Sequence, residues 1–197
     1  MKPETEPRGM PPVTGVVLAL NTLIFLALAV REGDIDISAR TMIDYGGLIP
    51  AERIGAQYWR LVSYGFLHFS LMHLVVNAIC LIAWGVPLER LFGSLRLALL
   101  YLGSVVIAGA GSILLHQQPF VSAGASGGVS GLLGALFLLF LLRRIEMPAA
   151  FFVINIGLNI AIALFAPGID WQAHLAGFLG GMALVMLLMP PFWRRRS

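Results

Sequence analysis

Charge is scarce in this chain. Asp, Glu, Lys and Arg make up 12% of the 197 residues, hydrophobic residues make up 58%, and the mean hydropathy is +0.87. A soluble domain carries roughly 25% charged residues, so too little charge is present to cover a water-facing surface, and lipid is the expected solvent for much of the chain. Cysteine is nearly absent: Cys80 stands alone in an apolar run, which excludes an internal disulfide and a multi-cysteine metal site. Carboxylates are missing from the apolar interior. Glu4, Glu6, Glu32, Asp34, Asp36, Asp44, Glu52, Glu89, Glu146 and Asp170 all fall outside the apolar runs or at their ends. A membrane aspartyl protease needs two carboxylates sharing one site, and a proton-coupled carrier ordinarily wants one within the membrane, so both lose their chemistry. The sequence has no HExxH, which removes the zinc metalloproteases. No metal and no cofactor is expected. A signal for cleavage is also lacking, because residues 1–10 are polar and proline-containing and no small-residue cleavage site follows the first apolar run. That run reads as a retained span.

What the chain does have is six apolar runs, at about 13–30, 71–88, 97–115, 124–142, 147–166 and 172–190. Each reaches or nearly reaches across a hydrocarbon core of about 30 Å. The expected fold class is an all-α membrane protein, a six-transmembrane-helix bundle. Its organisation reads as a short cytoplasmic N-terminal segment (1–12), a membrane domain (13–191) and a basic cytoplasmic tail (192–197). Charge placement agrees with an even number of crossings. Lys2, Arg8, Arg90, Arg96, Arg143, Arg144, Arg194, Arg195 and Arg196 fall on one side, and Arg31, Arg40, Arg53 and Arg60 on the other, all four in the long first loop. The positive-inside bias then makes both termini cytoplasmic. The net charge of +3 follows from these span-end residues and carries no signal for nucleic acid. The first loop, about 31–69, is expected outside, with Ile43, Tyr45, Leu48, Ile54, Tyr58 and Trp59 placing part of it in the interface. In the fifth run, Asn155 and Asn159 stand i to i+4 and are expected to face a neighbouring helix.

Polar side chains within spans default to a functional reading. The fourth run opens Gly124-Ala125-Ser126-Gly127-Gly128. Ser126 falls at the expected helix start, where free N–H groups and the helix dipole favour a developing oxyanion. Taken alone, GxSG more often serves close helix packing. The sixth run carries Ala173-His174-Leu175-Ala176-Gly177 and continues to Gly181. Gly177 and Gly181 form a small face that, set against the small face of the fourth run, brings His174 near Ser126. An interfacial hydrogen-bonding histidine is the other reading. In the second run His73 and Asn77 share one helix face; they either donate to an oxyanion or clamp two helices. His68 reads as structural and His116 as solvated.

These elements together resemble the rhomboid intramembrane proteases in their compact bacterial six-helix form. They are Trp59-Arg60 in the first loop, His68-Phe-Ser-Leu-Met-His73-Leu-Val-Val-Asn77, Glu89-Arg90-Leu91-Phe92-Gly93, Gly124-Ala125-Ser126-Gly127, and Ala173-His174 with Gly177 and Gly181, all within about 58–185. The resemblance implies a rhomboid-like bundle and an intramembrane serine endopeptidase acting by a Ser126–His174 dyad. It implies that Gly124, Ser126, His73 and Asn77 form the oxyanion and substrate pocket. It also implies transmembrane proteins as substrates, and an external cavity covered by the loop between the fifth and sixth spans. One departure stands out: Ser130 occupies the position, one turn after the nucleophile, where many bacterial relatives carry an aromatic residue. The alternative functions are a catalytically inactive rhomboid-like membrane-protein binder and, from a third class, a small transporter.

Overall fold

The computed structural model describes residues 9–165 and 168–189. Lys2, Arg8 and the tail arginines 194, 195 and 196 lie outside the described residues, as do positions 166 and 167 of the loop expected to cover the site. Every regular element among the described residues is helical: α1 (Pro12–Glu32), α2 (Ala39–Asp44), α3 (Ala51–Ile54), α4 (Arg60–Ser63), a 3₁₀ turn (Tyr64–Phe66), α5 (Leu71–Phe92), α6 (Ser94–Leu115), α7 (Ser126–Leu141), α8 (Ala149–Phe165) and α9 (Trp171–Leu188). All six apolar runs are therefore helices. Four of them, α1, α5, α6 and α9, are long and apolar enough to cross a membrane. The other two are shorter, at 16 residues for α7 and 17 for α8, or roughly 24 and 26 Å at 1.5 Å per residue.

For α7 the shortness has a physical reason. Every residue from Gly127 to Leu136 is buried, so protein rather than lipid surrounds the helix. Non-helical backbone just before it is then tolerated at membrane depth. The helices enclosing it approach to backbone contact. A Cβ added at Gly181 would run into the Gly131 carbonyl, one at Gly177 into the Gly127 carbonyl, and one at Gly134 into the Phe178 carbonyl. These three glycine contacts mesh α7 with α9, and a Cβ on Gly131 would also strike Ser104 of α6. Dispersion between closely approached backbones drives association here, because lipid offers no hydrophobic gain.

α1 joins this centre through α5. Helix α5 runs four residues beyond the expected end of its apolar stretch, with Pro87 inside it, and so carries Glu89 into its last turn at 3% exposure. The carboxylate accepts the Val13 and Thr14 N–H groups, both at 2.8 Å, the Thr14 hydroxyl at 2.7 Å and the Ser94 hydroxyl at 2.7 Å. Pro11, at the N-cap of α1, supplies no side-chain bond. Glu89 takes over that role from another helix and favours the positive end of the α1 dipole.

On the opposite side the first loop folds as a platform around Arg60, which is 6% exposed. Its guanidinium donates to the carbonyls of Ile43 and Gly47 at 2.8 Å and to Gln57 Oε1 at 2.7 Å, and it lies over the Trp59 ring. Tyr58 and Trp59 remain exposed, as an interfacial loop requires.

α8 is the outlier. Phe152 is its one buried residue among those described, in tilted contact with Phe137 and Phe140 and edge-to-face with Phe151. Asn155 and Asn159 do not bond across to a neighbour, as expected from their spacing. Their amides donate to the carbonyls of Phe151 and Asn155 in their own helix, at 2.8 and 2.9 Å, because no partner helix packs tightly along that face.

Replacing Glu89 with Ala leaves two buried N–H groups of α1 unpaired. The expected cost is about 3 kcal/mol, read as a lower melting temperature in detergent, with Glu89→Gln retaining part of the stability.

Candidate active site

The segment leading into α7 is held from three directions. Leu48 and Ser122 exchange backbone hydrogen bonds at 2.8 and 2.9 Å, and the Gly124 N–H donates to the Tyr64 carbonyl at 2.9 Å. Tyr64 is itself fixed, its buried hydroxyl donating to the Val105 carbonyl of α6 at 2.8 Å. Gly124 has φ +145°, backbone that side chains other than glycine's rarely adopt. Space demands glycine as well: a Cβ there would lie 2.8 Å from His73 Nε2 and 3.5 Å from Ser126 Oγ. The His73 ring and the Ser126 hydroxyl thus flank the same glycine. Ser126 opens α7, and Ala125 before it provides no side-chain cap, so the first-turn N–H groups beside Ser126 are not closed off by a capping side chain.

His73 sits in the first turn of α5, whose N-cap Ser70 accepts the His73 N–H. Asn77, one turn further and 5% exposed, donates through Nδ2 to the His73 carbonyl at 2.9 Å. That bond uses one amide hydrogen and leaves the second for another acceptor. His68 is fully buried, edge-to-face with His73 at a centroid distance of 5.1 Å. Burial, reinforced by the neighbouring His73, pushes its imidazole down to about 3. It therefore stands as an uncharged wall behind His73, in keeping with a structural role.

His174 lies on α9 between Ala173, whose carbonyl is 4.0 Å from the Cβ position of Gly127, and Gly177, which abuts the Gly127 carbonyl. It therefore stands beside the first turn of α7. His174 Nδ1 is buried with no hydrogen-bond partner, so no carboxylate orients the ring directly. The structure thus gathers Ser126, His174, His73, Asn77 and Gly124 at the starts of three helices.

The depth of this group follows from packing. The Cβ position of Gly127 falls 2.5 Å from the Ala108 side chain, seven residues before the end of α6 at Leu115. At 1.5 Å per residue, Ser126 lies about 10 Å below that end.

The Asp170 cap and the contacts of His116 were not read from the sequence, and a cavity was expected only in outline. A cavity of about 590 Å³ separates the outer half of α8 from α7 and α9, lined by Ser130, Leu133, Asn159, Ile160, His174 and Phe178 among others. Ser130, whose small side chain leaves this space open, faces the same cavity as His174. Asp170 caps α9. His116, expected to be solvated, instead contacts Asp170 and Ser112 and stacks on Phe120. Its partner Asp170 is far off in sequence, so local composition gave no sign of the contact.

An all-helical bundle of apolar spans with a polar group sunk among its helices is an integral membrane protein. The chain belongs to the rhomboid family: the rhomboid domain profile matches residues 55–191. Similar proteins include rhomboid protease GluP of Bacillus subtilis, 30% identical over 88% of this chain and 34% of the relative. RHOMBOID-like protein 4 of Arabidopsis thaliana is 36% identical over 79% of this chain and 41% of its own length. Putative rhomboid protease YdcA of Bacillus subtilis is 28% identical over 93% of this chain and 92% of its own. The chain thus spans about a third of GluP, two-fifths of the plant relative and nearly all of YdcA.

The glycine contacts give a direct test of how the group is assembled. Gly181→Val forces α9 off the Gly131 carbonyl and is expected to lower both the melting temperature and the reactivity of Ser126. Gly157→Val on α8, where a Cβ meets nothing within 4 Å, is expected to change neither.

Proposed function

We propose that this protein is an intramembrane serine endopeptidase that cleaves transmembrane segments of other membrane proteins through a Ser126–His174 dyad. The observation that carries this reading is the convergence of Ser126 Oγ and His73 Nε2 on Gly124, at an uncapped helix start beside His174. Membership of the rhomboid family and the protease names of two relatives support it.

In this reading His174 takes the Ser126 proton as the hydroxyl attacks the scissile carbonyl, and the same proton passes to the leaving amine. The tetrahedral oxyanion meets the N–H groups at the start of α7, with His73 and the free amide hydrogen of Asn77 as further donors. Water then releases the acyl group from Ser126. The cavity between α8 and α9 gives an unwound stretch of substrate helix apolar room next to His174. All six apolar helices cross the bilayer, α7 and α8 as short spans, with both termini on the cytoplasmic side of a bacterial inner membrane and the first loop outside. The basic residues Arg90, Arg96, Arg143 and Arg144 at one end of the bundle support that orientation.

A fluorophosphonate probe is expected to label the wild-type protein in detergent and not Ser126→Ala. Ser126→Ala and His174→Ala should each abolish cleavage of a single-span substrate, the double variant being no worse, since members of one catalytic unit are non-additive. Turnover by purified Ser126→Ala would refute the assignment. Asn77→Ala is expected to lower kcat by about 10- to 1000-fold with KM little changed. A loss confined to KM would make Asn77 a packing residue.

A further inference from the structure

The outer end of α6 and the first turn of α9 share a polar cluster that the dyad reading does not use. The Ser112 hydroxyl donates to Asp170 Oδ2 at 2.6 Å, a short charge-assisted bond. The other carboxylate oxygen, Oδ1, accepts the Ala173 N–H at 2.9 Å, and the Asp170 carbonyl accepts the His174 N–H at 3.2 Å. His116 closes the cluster. Its Nδ1 lies 3.9 Å from Asp170 Oδ1, 3.3 Å from Ser112 Oγ and 3.1 Å from the Ser112 carbonyl. Because the Ser112 proton is turned to Asp170, all three oxygens face Nδ1 as acceptors, which puts a proton on that nitrogen. The His116 and Asp170 side chains are only 17% and 14% exposed.

Capping alone does not call for a carboxylate here, since Asn or Ser would accept the Ala173 N–H equally well. A charge does something further. His174 stands in the first turn of α9, at the positive end of the helix dipole, where an imidazolium is disfavoured. A general base placed there must nonetheless become cationic as it takes a proton. A carboxylate one turn before it offsets the dipole. Among the described residues, the cavity that His174 lines holds no carboxylate: its polar side chains are Ser130 of α7 and Asn159 of α8. Asp170 in turn faces His116, the C-cap residue of α6, and Ser112.

We propose that Asp170, tethered by Ser112 and His116, is a positioning residue for His174: it sets the first turn of α9 and supplies the negative charge that lets the imidazole accept a proton at a helix N-terminus. The proposal rests on the Ser126–His174 reading. Asp170 acts through the helix and through space, since His174 Nδ1 makes no hydrogen bond. The tether matters because Ser112 belongs to α6, and His116 opens the loop that ends at Ser126. One cluster thereby references both halves of the dyad to the same helix end.

The test follows fluorophosphonate labelling of Ser126 against pH in the full-length protein in detergent, together with melting temperature. Asp170→Asn keeps a capping oxygen and removes the charge. It is expected to melt close to wild type, to label on the order of tenfold more slowly at its plateau, and to move the acid limb of the pH profile to lower pH. Asp170→Ala loses the cap as well and is expected to fall in both rate and melting temperature. A wild-type plateau and an unshifted profile in Asp170→Asn would overturn the proposal and leave Asp170 as a cap only. Should Asp170→Asn melt below the assay temperature, Ser112→Ala decides. A severalfold slower labelling with the acid limb in place supports the tether, and a wild-type rate refutes it. If the wild type itself fails to label at Ser126, the dyad reading has failed, an outcome distinct from intact labelling with indifferent Asp170 variants.

Discussion

Backbone contact between α7 and α9 is the constraint on which the rest of the bundle depends. With carbonyls of one helix seated on glycines of the other at Gly127–Gly177 and Gly131–Gly181, the two helices have no freedom to slide or rotate by even a fraction of a turn. Ser126 and His174 sit at the ends of these locked elements, so their separation is inherited from the packing rather than set by a bond between their side chains. This explains how a pair with no orienting carboxylate on the imidazole keeps a defined geometry. It also explains why α7 is enclosed by protein: a helix with glycine at four of its first nine positions has little side-chain surface of its own to offer to lipid.

The loop platform completes what the helix pair begins. Arg60 gathers the carbonyls of Ile43 and Gly47, the next residue, Leu48, pairs with Ser122, and Ser122 is two residues from Gly124. A guanidinium buried in the first loop is thereby connected, through consecutive backbone hydrogen bonds, to the strained glycine between His73 and Ser126. A segment sunk about 10 Å beneath the end of α6 needs such partners for its backbone groups, since lipid at that depth supplies none.

Much of this arrangement was legible in the sequence. The six apolar runs mark six helices to within a few residues, because a span must be apolar along nearly its whole length. The glycines at 177 and 181 announced a close helix contact, because in lipid small residues have few other uses. Local reading failed where partners are remote. Glu89 was placed at the end of an apolar run, yet three of its four hydrogen bonds come from α1 and the fourth from Ser94 of α6. The neighbours of His116 include an aspartate 54 residues away, and the amides of Asn155 and Asn159 donate within their own helix while Asn159 borders the cavity toward α7 and α9. A cavity was implied by the family resemblance, yet its place between α8 and the α7–α9 pair is a property of three helices, and no one of them encodes it.

The Glu89 clamp bears on the order in which the chain assembles. α1 is made first, yet the donors at its N-terminus find their acceptor 75 residues later, on α5, and the Ser94 hydroxyl that shares that carboxylate opens α6. Until the α5–α6 hairpin has entered the bilayer, α1 is an unfinished helix whose frayed first turn must stay with water and lipid headgroups. Closure of this end thus waits on the first three apolar helices, and one buried carboxylate then holds all three together.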